Sequence, residues 1–381
     1  MTENPWALTP AQEAYTSWVR DVATTTLRPL ADNGDAGVVN RPLIKAMGDL
    51  GLLARLFPGV AEGRVSRQAA ALDLCLLRES LATVSTEAET ALALQGLGTY
   101  PVLQSGSQEQ VDRWVPEVAR GSAVAAFALT EPEAGSDAAA LTLAAEPDGD
   151  AWRLTGEKVW ISNAPEADFY SVFARTTYGA GARGVTGFIV PADRRGLSGE
   201  HLDMLSPHPI GRVVFDGVRV TRGEMLGDPD QGFAVAMGTL DLFRPSVGAC
   251  AVGMAQAALD AAVRHADTRQ AFGGPLRDLQ SVAHTLAEMA TRTEAARLMV
   301  YRAGAAYDAG AAGVSTTSAM AKLVATETAQ YVVDAAIQIH GAQALQRGHL
   351  LEHLYREVRA PRIYEGATEV QRSIIAKNLY R

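Results

Sequence analysis

Through the first third of the chain apolar residues recur at three- and four-residue intervals, a spacing that predicts helices from residue 9 to about 120. Start signals punctuate it. Thr9 with Pro10 and Gln12 makes a capping box with proline at the first helical position, and the Thr86/Glu89 and Ser107/Gln110 pairs repeat the box. Asn40 is expected to cap RPLIKAMGDL, which Gly51 ends, and Ser66 to open RQAAALDLCLLRESLA. From about 121 to 227 the texture changes to short apolar or alternating runs, AVAAFAL, WRLTG, KVWIS, FYSVFA, GFIV, RVVF and VRV, separated by turn residues. Helical spacing then returns in alanine-rich stretches near 232–265, 276–309 and 316–340 and in two shorter ones, with a bend expected near Pro245. Helices, strands and helices in blocks, without strand–helix alternation, predict a mainly α protein with a central antiparallel β-domain: a helical domain at 1–120, a β-domain at 121–231 and a helical bundle at 232–381.

Composition narrows the function classes. A chain of 381 residues can bury a large core in several layers. With a formal net charge of −9 and scattered basic residues there is no basic stripe for nucleic-acid phosphates. Cys75 and Cys250 lie far apart in apolar surroundings, which fits buried thiols in a reducing compartment, and no His, Cys or carboxylate cluster has metal-ligand spacing. The start shows neither signal nor transit pattern, and apolar runs are broken before the ~20 residues of a membrane span, so a cytoplasmic protein is expected. Gly179, Gly181 and Gly184 match GxGxxG, but they lie between two strand-like runs with no helix to receive a pyrophosphate; a hairpin loop is expected.

Five segments carry candidate chemistry. FALTEPEAGSD (127–137) offers hydroxyls and backbone N–H groups at the end of a strand-like run. In KVWISN, Trp160, Ser162 and Asn163 offer an aromatic face and hydrogen bonds to a flat heterocycle, although a tryptophan alone more often fills core. RQAFGGPL places Arg269 and Phe272 in a loop, with Gln280 just beyond; the guanidinium could pair with a phosphate or merely be solvated. In QIHGAQAL, Gly341 reads as a helix C-cap and His340 as structural. In IYEGATEVQR, Glu365 precedes a helix, where a carboxylate either complements the helix dipole or, in an apolar site, serves as a general base.

FALTEPEAGSD, KVWISN, RQAFGGPL and IYEGATEVQR occur in the order and spacing of acyl-CoA dehydrogenases, which the chain resembles over essentially its whole length. The resemblance implies a helical, β, helical architecture, a homotetramer built as a dimer of dimers, one FAD per subunit, and an electron-transfer flavoprotein as acceptor. By motif, Phe127, Leu129, Thr130 and Ser136 resemble the strand and loop along the flavin, with Ser136 also facing the thioester. Trp160 and Ser162 resemble the pair beside the isoalloxazine ring. Arg269, Phe272 and Gln280 resemble the set that reaches FAD in a neighbouring subunit, and Gln338 and Gly341 another part of that contact. Thr368 falls at the helix start closing over the cofactor. Asp241 and Arg244 in LDLFRP, together with Tyr364 and Gly366, resemble substrate contacts.

Glu365 matches the family's usual base, which removes the α-proton while the β-hydrogen leaves as hydride. Some members draw the base from the position of Phe243, and phenylalanine cannot take a proton. The chain departs from the family pattern at Ala342, Ala344, Leu345, Ala367 and Ser162, and in SPHPIGRVVF. These departures suit an acyl group that is branched or cyclic, carried on CoA or on a carrier protein. A flavin oxidase or monooxygenase on the same fold is the alternative, which Glu365 argues against for the monooxygenase; a non-catalytic scaffold needs only the fold.

Overall fold

The computed structural model describes residues 8–60, 63, 65–67 and 70–380. The chain divides into two compact units, one built from residues up to Arg28, Ala71–Glu89 and Asp241–Arg381, the other from Pro29–Ala70 and Thr90–Leu240.

Helices α1 (Pro10–Val22), α2 (Arg28–Asp32), α3 (Arg41–Asp49), α4 (Ala71–Ala82), α5 (Thr86–Ser105) and α6 (Gln108–Ala119) come first. Three expected caps form. Thr9 and Gln12 exchange side-chain bonds with each other's backbone N–H at 3.3 and 2.9 Å, Ser107 and Gln110 do so at 3.2 and 2.7 Å, and Asn40 Oδ1 accepts from Leu43 N at 3.0 Å. Two others do not. Ser66 lies outside the fourth helix, which begins at Ala71, and the intervening Gln68 and Ala69 lie outside the described residues. The donors of that helix's first turn, Ala71 N and Leu72 N, reach Asp308 instead, at 2.6 and 2.9 Å. A carboxylate from the end of a distant helix thus supplies the cap. At α5 the capping hydroxyl belongs to Ser85, which accepts from Ala88 N at 3.2 Å, and Glu89 turns into the interior.

The middle segment forms β1 (Ala125–Ala128), β2 (Ala144–Asp148), β3 (Ala151–Ser162), β4 (Phe169–Arg175), β5 (Val185–Pro191), β6 (Leu197–His201), β7 (Ile210–Thr221) and β8 (Met225–Leu226). Seven of them lie in the order β6-β7-β3-β2-β4-β5-β8, with β1 beside β4. The sheet is mostly antiparallel, as expected, with a correction at β4, where β1 and β2 both pair in parallel. A parallel neighbour requires a long crossover, and the segment between β1 and β4 supplies one that contains the β2–β3 hairpin. The glycine-rich GAGARG stretch joins the antiparallel pair β4–β5, so it is a hairpin connection.

Helix α7 (Gly232–Thr268), the short hairpin strands β9 (Gln270–Ala271) and β10 (Gly274–Pro275), and helices α8 (Gln280–Asp308), α9 (Val314–His340), α10 (Leu350–Glu357) and α11 (Thr368–Asn378) complete the chain. The core they form with α4 is largely alanine, including Ala255, Ala258, Ala296, Ala321 and Ala325. Small residues let the backbones approach: a Cβ on Gly253 would come within 2.5 Å of the Glu79 carbonyl oxygen. α7 continues through Pro245, whose missing N–H leaves the Asp241 carbonyl without its helical donor; Ser318 Oγ donates to that oxygen at 3.2 Å. Contrary to the expectation of short apolar runs, α7 is long and apolar enough to cross a membrane, but most of its apolar window is buried inside the protein, as befits a core helix.

Candidate active site

Glu365 stands in the connection before α11 with φ 52°, and Gly366 follows with φ 93°. A side chain in this left-handed region costs about 1–2 kcal/mol and persists only where the surroundings over-determine it. Here they do. The Glu365 carbonyl oxygen accepts from Arg244 Nε at 3.3 Å and Gln371 Nε2 at 3.1 Å, and the Gly366 carbonyl oxygen from Lys322 Nζ at 2.7 Å and Gln371 Nε2 at 2.8 Å. Further back, Glu327 accepts from Thr368 Oγ1 at 2.7 Å and from Arg362 Nε at 3.0 Å, tying both flanks of the turn to α9.

With the backbone held by others, the Glu365 carboxylate is left unengaged: its Oε2 is inaccessible to solvent and accepts no hydrogen bond. Burial raises the proton affinity of this carboxyl, opposed first by the Arg78 guanidinium and then by Lys322 and Arg244. A carboxylate desolvated and free of donors, yet kept ionisable by nearby cations, is equipped to take a proton from a weak carbon acid. Asp241 lies one helical turn from Arg244 and accepts from its Nη1 at 2.7 Å and from Ser315 Oγ at 3.2 Å. Desolvation raises the Asp241 carboxyl pKa, with Arg244 opposing.

Sequence reasoning missed the supports. Arg78 is buried in α4, bonded through Nε to Glu89 Oε1 and through Nη1 to Ser246 Oγ at 2.7 Å. Lys322 is buried in α9 and Gln371 in α11. The available signal was a charged residue inside an apolar helical stretch, LCLLRES and AMAKLVA, since buried charges demand partners. The turn itself makes a testable demand. A Cβ on Gly366 would fall 2.5 Å from Gln371 Nε2. Gly366→Ala is expected to lose about 1–2 kcal/mol in chemical denaturation and to slow turnover by displacing the clamp; wild-type turnover would show that the turn tolerates a side chain.

In the other unit, the register of β3 against β7 shifts between Lys158 and Ile161, and within that irregularity Trp160 adopts φ 55°. The indole is therefore turned outward and is 52% exposed, where a tryptophan filling core would be covered. Val159 N donates to Thr130 O at 3.0 Å, so this segment runs against the loop of FALTEPEAGSD. That loop is anchored by a buried ion pair absent from the sequence reading: Lys158 Nζ donates to Glu131 Oε1 and to Leu129 O, both at 2.8 Å. Glu131 also accepts from Thr142 N at 2.6 Å and Leu143 N at 2.9 Å. Phe127 and Leu129 turn their side chains into a core with Phe173, whereas Ser136 is exposed and Ser162 half-buried. Asn163 is structural, its Nδ2 donating to Ala125 O at 2.8 Å. A rigidly held, uncovered indole flanked by hydroxyl-bearing segments fits one face of a flat heteroaromatic ring system.

The sequence matches the family models for the acyl-CoA dehydrogenase N-terminal domain at residues 9–122, middle domain at 126–218 and C-terminal domain at 230–380. The chain belongs to the acyl-CoA dehydrogenase family. It is similar to the cyclohexane-1-carbonyl-CoA dehydrogenase of Geobacter metallireducens, 33% identical over 370 residues and 96% of each chain. Among solved structures it is similar to one from a study of the electron transferring flavoprotein of Acidaminococcus fermentans, at 32% identity and TM-score 0.92 over 98% of this chain and 99% of that one. It is also similar to PigA with FAD and proline, at 27% identity and TM-score 0.92 over 98% of each chain.

The remaining candidates of this acyl-CoA dehydrogenase family member form a separate exposed set. Arg269, Phe272 and Gln280 surround the β9–β10 hairpin, and Gln338 and Gly341 end α9. Phe272 has φ 55° and is 91% exposed. Among the described residues no hydrogen bond joins this set to Glu365. His340 nearby is structural, its Nδ1 bonded to Ala336 O at 2.8 Å and its ring stacked on His265 at 4.1 Å. Of the departures, Ala344 is buried core, and Ala367 occupies the N-cap of α11 without a side-chain acceptor.

Proposed function

We propose that Glu365 is the base of the FAD-dependent α,β-dehydrogenation of acyl-CoA thioesters that this enzyme, an oxidoreductase acting on CH–CH groups, performs. The observation that carries the assignment is the enclosed, donor-free Oε2 on a backbone fixed by Arg244, Lys322 and Gln371. The thioester carbonyl acidifies the α-proton, which passes to the Glu365 carboxylate, and the electron pair of that C–H bond becomes the second bond of the new C=C. The chemistry that bound FAD supplies is acceptance of the β-hydrogen with its electron pair. Trp160, Ser162, Thr130 and Ser136 would hold the flavin and orient the thioester; Arg269, Phe272, Gln280, Gln338, Gly341 and Thr368 would hold the rest of FAD. Tyr364, Gly366, Asp241 and Arg244 would position the acyl and pantetheine portions.

A homotetramer is part of the proposal, supported by the uncovered Phe272 and Leu345. So are an electron-transfer flavoprotein as acceptor and a reducing, cytoplasmic location, the latter supported by two free buried cysteines. The test is an anaerobic visible-spectrum titration of FAD-replete protein with saturated acyl thioesters of graded size and branching, on CoA and on carrier protein. Bleaching of the oxidised flavin band with formation of enoyl product is expected; a flavin that stays oxidised across the panel would overturn the reading.

A further inference from the structure

The base is held from outside its own turn. Lys322 projects from α9 and is wholly buried, an arrangement that costs desolvation energy unless the ammonium is matched. Its Nζ donates to the Gly366 carbonyl oxygen at 2.7 Å, the oxygen that also receives Gln371 Nε2, one residue from the catalytic carboxylate. Both backbone positions that this bond braces are left-handed. We propose that Lys322 is a positioning residue for the dehydrogenation, fixing the turn so that the Glu365 carboxylate faces the substrate α-carbon. The inference rests on the assignment of Glu365 as base.

The charges around the pair define its sign. Glu365 faces Arg78 from α4, Glu89 from α5 and Arg244 from α7, besides Lys322. Lys322 faces Glu365, Arg244, Glu327 from its own helix and Glu369 from α11. Tyr364 stands beside the base, Cys250 from α7 is held protonated by burial, and Asp241 is engaged by Arg244. Burial lowers the Lys322 pKa to about 8, with Glu365 opposing. Below that pH the ammonium favours the ionised base. Removing it raises the proton affinity of Glu365, and because only the deprotonated base reacts, the acid limb of activity moves to higher pH.

Lys322→Met tests this, with Lys322→Arg retaining charge and donors. Expected for Lys322→Met is a plateau kcat lower by about 10- to 100-fold, the range for a misaligned reacting group, little change in KM, an acid limb at higher pH, and wild-type flavin content and melting temperature. Lys322→Arg should restore the acid limb. A second measurement needs no turnover: the infrared carboxyl band of Glu365, assigned by its loss in Glu365→Gln, should titrate at higher pH in Lys322→Met. An unmoved band and unmoved acid limb would overturn the proposal. So would a loss that tracks missing flavin or unfolded protein and is shared by Lys322→Arg, since that is a packing role. Absence of turnover in the wild type would count against Glu365 as base in this reaction, while the infrared titration would still decide for or against Lys322.

Discussion

Glu365→Gln is expected to keep the fold and the flavin but to slow anaerobic flavin reduction by acyl-CoA by about 10²–10⁴-fold, or roughly 3–5 kcal/mol of barrier. The structure separates the two outcomes. The left-handed turn is held through the Glu365 and Gly366 carbonyl oxygens, and an amide side chain of the same shape leaves Arg244, Lys322 and Gln371 with those acceptors. Arg78 likewise retains Glu89 and Ser246. What disappears is the only proton acceptor at that position. In the wild type, burial raises the Glu365 carboxyl pKa above its ordinary value, so activity limited by this step should climb as pH rises through an elevated carboxylate range. Rapid-mixing absorbance of the flavin band checks both expectations. Reduction by the variant within twofold of wild type would remove Glu365 from the mechanism.

The parts legible in the sequence are those decided locally. Thr9, Asn40 and Ser107 cap their helices because acceptor and donor lie three residues apart, and the succession of helical, strand and helical spacing gives the family architecture. Where the local signal failed, a distant group had taken over. Asp308 caps the helix expected to open at Ser66, 237 residues along the chain from the donor it serves, and Ser318 completes the carbonyl that Pro245 orphans. The parallel pairing of β1 with β4 is a tertiary choice of the same kind, since nothing in AAFA distinguishes parallel from antiparallel. At the site the division is similar. The motif picks out Glu365, but its conformation depends on Arg244, Lys322 and Gln371 from three helices, and the outward turn of Trp160 depends on a register shift no spacing announces.

Arg78→Met is expected to destabilise the protein by about 3–5 kcal/mol, the range for breaking a buried ion pair by removing one partner. Arg78 and Glu89 are both almost wholly buried, and burial disfavours the charged guanidinium until Glu89 more than restores it. Removing the cation takes the Arg78 charge away from the buried Glu89 carboxylate, and the Cys250 thiol of α7 that also faces Glu89 is held protonated by burial and carries no charge to replace it. The same substitution reaches the chemistry, because Arg78 is the foremost of the cations opposing the rise in the Glu365 pKa. The acid limb of flavin reduction should therefore move to higher pH. The double variant Arg78→Met/Glu89→Leu tells structure from electrostatics. Apolar side chains of similar volume in place of the whole pair should recover most of the stability, while the limb stays above wild type, since the cation outweighs Glu89 in its effect on the base. Urea denaturation and the pH dependence of flavin reduction measure the two separately. A single variant as stable as wild type would show that Glu89 is neutralised by other means, and an unmoved limb would show that Arg78 does not reach Glu365.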